Sequence, residues 1–398
     1  MIMTLSIPPE PSYYRQSIIL SYFSTLLFWG AVYIYMPILA PYSKMVSGSF
    51  QAVGMVMGAY GLSQLLLRIP LGIWSDRWRR RKPFILLGFI FDGLAALGLL
   101  LSDNTLMLFF SVLTAGIASS MWVPFTVLFS SYFPLGQIAH SVSLMLFLTR
   151  LAQITTNYAC GTIAEAWGWV APFYAGMILS FIGLLLSLGL AERRPEKSSA
   201  ASYKQFSFVG RNRTLLLASF FCALFLFANF STSYGFTPIF AQQIGASQKD
   251  LGVLFFWYML PNTLATLLSG TYIRRLFSER AMIFAGFLLL SGTAFFILMV
   301  DRLVILYGLQ AFNGIGVGLI FPLLMGLAIQ PAAPEQQATA MGFFQSLYAV
   351  GMTLGPILSG IVAQRLGLSS VFILNGLLCL FGAFFALLKI PSASRKES

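Results

Sequence analysis

Charge is what this chain has least of. Only 9% of its 398 residues are Asp, Glu, Lys or Arg, against roughly 25% in a soluble globular protein. That excludes an ordinary water-exposed surface. Twelve residues are acidic and one, His140, is histidine. The histidine falls in a connection and reads as a solvated loop residue. No metal-ligand spacing occurs, so no metal is expected. Cys160, Cys222 and Cys379 lie in three separate apolar runs without paired spacing, which suits small packing residues and not a disulfide framework. A Gly-rich loop closing on Lys-Ser/Thr is also missing, so the chain has no phosphate-binding loop with which to use ATP. Nothing resembles an enzyme site, and no cofactor is expected.

Apolar sequence is what it has most of. Hydrophobic residues make up 58% of the chain, and the mean hydropathy is +0.82. A membrane span needs about 20 mostly apolar residues. Twelve such runs are present, near 18–42, 51–74, 83–102, 105–132, 141–164, 169–190, 214–240, 251–273, 281–300, 303–329, 337–364 and 369–390. The expected fold is an all-α membrane protein of twelve transmembrane helices, with the lipid bilayer as its solvent. The first run is too long for a signal-peptide core and reads as a retained span.

The formal charge of +12 could suggest a nucleic-acid partner, but its placement does not. With alternate connections assigned to opposite sides, 18 Lys and Arg fall on one face and four on the other, namely Lys44, Lys249, Arg302 and Arg365. This is the positive-inside pattern. It predicts a multi-pass protein of the cell (cytoplasmic) membrane with both termini cytoplasmic and no nucleic-acid partner.

One connection is long and polar, Ala191 to Arg213, and reads as a flexible cytoplasmic linker. It divides the chain into an N-terminal six-helix bundle over 1–190, the linker over 191–213 and a C-terminal six-helix bundle over 214–398. The halves echo each other about 200 residues apart. Pro37-Ile-Leu-Ala40 returns as Pro238-Ile-Phe-Ala241, Gly72 as Gly270, Gly116…Pro124 as Gly314…Pro322, and Pro134 as Pro334. A parallel repeat of six-helix units with substrate held between them is a transporter architecture.

The connection between the second and third runs reads Gly72-Ile-Trp-Ser-Asp76-Arg77-Trp-Arg79-Arg80-Arg81-Lys82-Pro83. Its degenerate copy is Gly270-Thr-Tyr-Ile-Arg274-Arg275, with Arg274 in place of the acid. Pro334-Glu335, Ala340-Met341-Gly342 and Gly355-Pro356-x-x-x-Gly360 complete the pattern. Over its whole length the chain resembles the major facilitator superfamily, in general the bacterial efflux-type members. The resemblance implies two pseudo-symmetric six-helix bundles. Physical reasoning adds a role for the loop. A helix N-terminus favours a nearby carboxylate such as Asp76, and the arginines can bridge to neighbouring helix ends. Gly72, Asp76, Arg77, Arg80 and Arg81 are therefore expected to form a cytoplasmic conformational clasp, the alternative being a topology determinant alone.

Ionisable residues inside spans are functional candidates by default. Arg68, Asp92 and Arg150 are all in the first half. Arg68 lies about 9 Å and Asp92 about 14 Å from the cytoplasmic end, a match in depth that suits either an ion pair or a coupling carboxyl tuned by Arg68. Arg150, Gln153 and Asn157 share one helix face, and a guanidinium fork suits a carboxylate or phosphate, so Arg150 is the expected substrate anchor. An intraprotein hydrogen bond is the alternative. Trp29 and Tyr33 share a face in span 1. Asn229 and Ser233 are four apart in span 7, with Tyr234 beside them. Tyr258 and Asn262 flank Pro261 in span 8, Asn313 lies in span 10, and Gln345 and Tyr348 lie in span 11. Helices 1, 4, 5, 7, 8, 10 and 11 line the cavity in transporters of this fold, so these residues are expected to bind substrate or to act as interhelical glue.

The expected function is secondary active transport of a small molecule by a monomer that alternates access. It is read as export of an amphipathic or anionic metabolite or drug, with protons as the candidate coupling ion. The chain departs from drug antiporters in two respects: span 4 has no Arg, and span 5 reads Asn157-Tyr-Ala-Cys-Gly161 where they carry Gly-Pro. Uptake of a carboxylate or sugar-like nutrient, or a non-transporting membrane sensor, are the alternatives.

Overall fold

A computed structural model describes residues 12–78, 80–133, 137–192, 212–330 and 337–390. Twelve long helical stretches run through them, and no strand occurs among the described residues. In chain order, α1 is Ser12–Tyr33 continued by Met36–Ser47, α2 is Phe50–Trp78, and α3 is Lys82–Leu100. Then α4 is Thr105–Ser120 with Trp122–Ser130, α5 is Ile138–Trp167 and α6 is Ala171–Leu188. In the second half α7 is Arg213–Asn229, a π-helical Phe230–Phe236 and Thr237–Gln243, and α8 is Gln248–Leu268 extended through Ser269–Ile273 and Arg274–Leu276. Finally α9 is Glu279–Phe296 with a 3₁₀ turn to Met299, α10 is Leu303–Ile329, α11 is Gln337–Leu366 and α12 is Ser369–Lys389. Each expected run is one of these helices.

Eleven of the twelve are long and apolar enough to cross a membrane. The other is α5. Its 30 residues are ample in length, but it carries Arg150, Gln153, Asn157 and paired threonines. Large apolar side chains such as Leu106, Phe181, Phe312 and Phe384 are exposed on the helix surfaces, as hydrocarbon requires and water does not.

Local chemistry sets the helix ends. Asn104 caps α4 by accepting from Met107 N at 2.9 Å, and Asn212 caps α7 by accepting from Thr214 N at 3.0 Å. Ser247 and Asp250 form a reciprocal capping box at α8, which satisfies two otherwise orphaned donors. Left-handed glycines end α5 (Gly168, φ 90°) and α11 (Gly367, φ 86°), where any side chain would be strained.

The repeat persists in these details. The ammonium of Lys82 donates to the Leu188 carbonyl at the end of α6 (2.6 Å), and Arg280 Nη1 donates to the Leu387 carbonyl near the end of α12 (3.4 Å). Each bundle thus ties the start of its third helix to the end of its sixth. Proline shapes the first helix of each half too: α1 breaks at Ile34–Tyr35 ahead of Pro37, and α7 widens into its π turn ahead of Pro238. Between the halves, α2 packs along α11 and α5 along α8.

At the α2–α3 connection, among the described residues, the α3 N-terminus is held by the carboxylate of Glu192. It accepts from Arg81 N at 2.8 Å and Lys82 N at 3.0 Å. Of the expected clasp, Arg77 and Arg80 are exposed and Arg81 is buried. The surroundings of Gly72 and the side chain of Asp76 lie outside the described residues, as do Arg79 and most of the expected linker, 193–211.

Candidate substrate site between the bundles

Arg150 is half-buried at the middle of α5. Its Nη1 donates to Gln153 Oε1 at 3.1 Å, its only hydrogen bond among the described residues. Its charge acts on three tyrosines, Tyr33 of α1, Tyr234 of α7 and Tyr258 of α8. Arg68, also half-buried, reaches across to the second bundle. Its Nη1 donates to Gln345 Oε1 at 3.1 Å and to the Tyr348 hydroxyl, and its guanidinium lies 5.5 Å from the centre of the Tyr348 ring. Its Nε is buried without a partner. Neither arginine has a carboxylate beside it among the described residues.

The pairing of Arg68 with Asp92 is not formed. Arg68 faces α11, whereas Asp92 is fully buried between α3, α6 and the break in α1. Asp92 Oδ2 accepts from Ser180 Oγ at 3.3 Å, and Oδ1 has no partner. The Tyr35 hydroxyl lies close enough to act on it without forming a hydrogen bond of good geometry. Equal depth in the membrane does not place two side chains on facing helix surfaces.

Aromatic rings join the two halves around the arginines. Trp122 of α4 packs edge-on against Trp29 at 5.1 Å between ring centres, and Trp29 against Tyr33 at 5.8 Å. Tyr33 meets Tyr234 of the other bundle at 6.5 Å, and Tyr234 meets Tyr258 at 5.9 Å. The Tyr258 hydroxyl is fixed by donation to Asn229 Oδ1 at 2.9 Å. Tyr60 of α2 stacks on Phe230, which stacks on Tyr234. Such rings offer apolar faces and polar rims together.

The remaining expected residues divide. Asn157 is fully buried on the Arg150 side of α5, and both of its amide atoms lack partners. Asn262 sits at the α8–α10 contact and accepts from Thr266 Oγ1 at 3.3 Å. Asn313 faces a cavity inside the second bundle. Phe230, Gln310, Asn375 and Glu192 were not singled out from sequence. For Phe230 the signal was the Gly235-x-x-Pro238 spacing that follows it.

The bundles close on each other at the face opposite the termini. Gln364 Oε1 accepts from Phe50 N at 2.9 Å, and Glu165 Oε2 accepts from Lys249 N at 3.2 Å. Two glycine pairs bring backbones together there. A Cβ built on Gly54 would lie 2.9 Å from the Gly360 Cα, and one on Gly161 would lie 2.8 Å from Gly252 N.

A Major Facilitator Superfamily profile matches residues 20–240 and again 219–398. The chain belongs to the Major Facilitator Superfamily. As a member of this superfamily it is a membrane transporter. It is 20% identical over 377 residues to an uncharacterized MFS-type transporter of Methanocaldococcus jannaschii, covering 92% of this chain and 96% of that protein. An uncharacterized MFS-type transporter of Mycobacterium tuberculosis is 20% identical over 378 residues, covering 89% and 88%. Among solved structures, a mutant of the nucleoside transporter NupG superimposes with a TM-score of 0.79 at 16% identity, covering 95% of this chain and all of that one. A bacterial homologue of the human lysosomal transporter Spinster, inward-facing and unoccupied, gives 0.77 at 15% identity, covering 95% and 97%. At these identities the likeness carries the fold.

Proposed function

We propose that this transporter exports a small amphipathic organic anion by alternating access, and that the anion binds between the bundles against Arg150 and Arg68. One observation carries the reading: two half-buried guanidiniums, without acidic partners among the described residues, face a ring of tyrosines drawn from both halves. A guanidinium in a low-dielectric setting calls for an anion. The aromatic faces select against small hydrated ions and for solutes with an apolar body. Because Arg68 is held by Gln345 and Tyr348 of the opposite bundle, an incoming anion competes with a bond between the halves. Substrate binding is thereby tied to their relative position. Export follows from the general resemblance to efflux-type members.

Asp92 is the proposed coupling group. It lies against Tyr35 at the break in α1, two residues from Tyr33 in the substrate ring. Taking up or losing a proton there changes the charge buried at the break and can shift the α1 segment that carries Tyr33.

The test is exchange of a panel of labelled aromatic carboxylates in proteoliposomes, comparing wild type with Arg150→Ala. Charge-assisted hydrogen bonds contribute about 1.5–3 kcal/mol, so affinity for the transported anion should fall roughly 10- to 150-fold, while an uncharged analogue is little affected. Retained anion affinity in the variant would sink the reading.

A further inference from the structure

The seam opposite the termini is built twice, and the two copies differ in charge. Glu165 stands three residues before Gly168, the left-handed glycine that ends α5, and Gln364 stands three before Gly367, which ends α11. Under the repeat the two positions correspond. Each side chain reaches across to the first turn of a helix in the other bundle. Gln364 Oε1 accepts from Phe50 N at 2.9 Å and from Ser49 Oγ at 3.2 Å, at the start of α2. Glu165 Oε2 accepts from Lys249 N at 3.2 Å, at the start of α8. Gln248 adds a second donor from the same turn. With its amide turned to satisfy both ends, its nitrogen donates to Glu165 Oε2 at 2.8 Å while its oxygen accepts from Trp169 Nε1 at 3.0 Å. Ser247 and Asp250 satisfy each other's backbone N–H within α8, so Lys249 N is the donor left for the opposite bundle.

We propose that Glu165 is a proton-released latch on this face: its ionised carboxylate, held by the start of α8, favours closure of the bundles, and gaining a proton weakens it to the level of its neutral counterpart Gln364. The first N–H groups of a helix carry partial positive charge, which an anion satisfies better than a neutral oxygen. Hydrogen bonds to an ionised acceptor are roughly twice as strong as neutral ones. Closure brings Glu165 to these donors and opening returns it to water, so loss of its charge is felt by the closed state. The other charged groups on the elements that meet here are engaged elsewhere or exposed. Among the described residues no Lys or Arg side chain forms an ion pair with Glu165. Asp250 is held by Ser247 N and the Tyr307 hydroxyl of α10, both in its own bundle. Lys44 of α1 donates to the Gly48 carbonyl and lies over the Phe50 ring, beside the neutral copy. Lys249 is exposed, and α6, which begins just after Trp169, has no charged residue. Protons arriving at this face therefore favour its opening. The inference rests on the two-bundle fold and on neither the anion site nor Asp92.

The three native cysteines are buried, so the full-length protein can carry spin labels at Leu106→Cys and Val304→Cys, exposed positions near the starts of α4 and α10 on this face. Pulsed EPR is read at neutral pH and after stepwise acidification, without substrate or gradient. With Glu165 intact, the long-distance population should grow as pH falls. In Glu165→Gln the ratio of open to closed should already be roughly two- to fivefold higher at neutral pH, the effect of one charge at a helix N-terminus, and acid should change it less. Distributions that superimpose at neutral pH, or an acid response as large as in the parent, overturn the proposal. If Glu165→Gln does not fold, Gln364→Glu decides in its place. It sets a second carboxylate on the start of α2, and should lower the open population at neutral pH and enlarge the acid response; an unchanged profile overturns the proposal. Anion affinity is measured separately, so the latch and the substrate site can fail independently.

Discussion

The closure opposite the termini rests on contacts that tolerate no added atom, and Gly161→Ala is the smallest change that tests this. A methyl on Gly161 would sit 2.7 Å from the Gln248 carbonyl oxygen and 2.8 Å from both Gly252 N and the Lys249 carbonyl oxygen. All three are backbone atoms at the start of α8, so no rotamer change relieves the contact. The helices must part by about an ångström to restore ordinary van der Waals spacing. Overpacking by a methylene or so costs about 1–3 kcal/mol. The cost falls only on the conformation closed at this face, so its population relative to the state open there should drop roughly 5- to 150-fold. Spin labels at Trp167→Cys and Met299→Cys, exposed positions near the ends of α5 and α9, would report the separation by pulsed EPR. The distance distribution should move to longer values in Gly161→Ala. Gly292→Ala is the control, because nothing lies within 4 Å of a Cβ there. Identical distributions for wild type and both variants would refute the reasoning.

Asp92→Asn keeps the shape of the side chain but removes its titration. It should leave solute exchange in proteoliposomes near wild type while abolishing accumulation driven by a proton gradient, and persistent gradient-driven accumulation would remove Asp92 from the coupling path. Glu192→Gln weakens the cap on α3 and should lower stability by about 0.5–2 kcal/mol, read as a shift in thermal unfolding of the purified protein; an unchanged transition contradicts the capping role. Tyr348→Phe removes one of the two groups in the second bundle that hold Arg68. Anion affinity should rise, since the substrate then competes with one fewer internal bond, and a lower affinity would show instead that the hydroxyl itself binds substrate.

Helix positions were legible because a span is a local property. Twenty apolar residues in a row need no knowledge of neighbours, and every expected run became a helix. The two-bundle plan was legible through repetition. What stayed hidden depends on rotation about helix axes and on partners far away in sequence. Arg68 and Asp92 matched in depth, yet α2 turns one towards α11 while α3 turns the other towards α6. Glu192 caps a helix that begins 110 residues earlier, so its role could not be read from a charged linker. Asn313 and Asn375 are a similar case, since they line one cavity of the second bundle only because α10 and α12 pack together.

The glycine contacts show what the duplication preserved. Gly54 meets Gly360, and Gly161 meets Gly252. Under the repeat of about 200 residues, Gly54 corresponds to Gly252 and Gly161 to Gly360. The two contacts are therefore one contact used twice, with the halves exchanged. A protein that rocks between two closures gains from a symmetric hinge, because neither bundle then carries the strain alone. The chemistry has not stayed symmetric. Arg68, Arg150 and the buried Asp92 belong to the first bundle, and of the four Asn and Gln side chains with a buried unpartnered atom among the described residues, Asn157 belongs to the first bundle and the other three to the second. The charges that would hold an anion thus lie in the first bundle, and Tyr33 and Tyr234, which meet at the seam, connect them to the second.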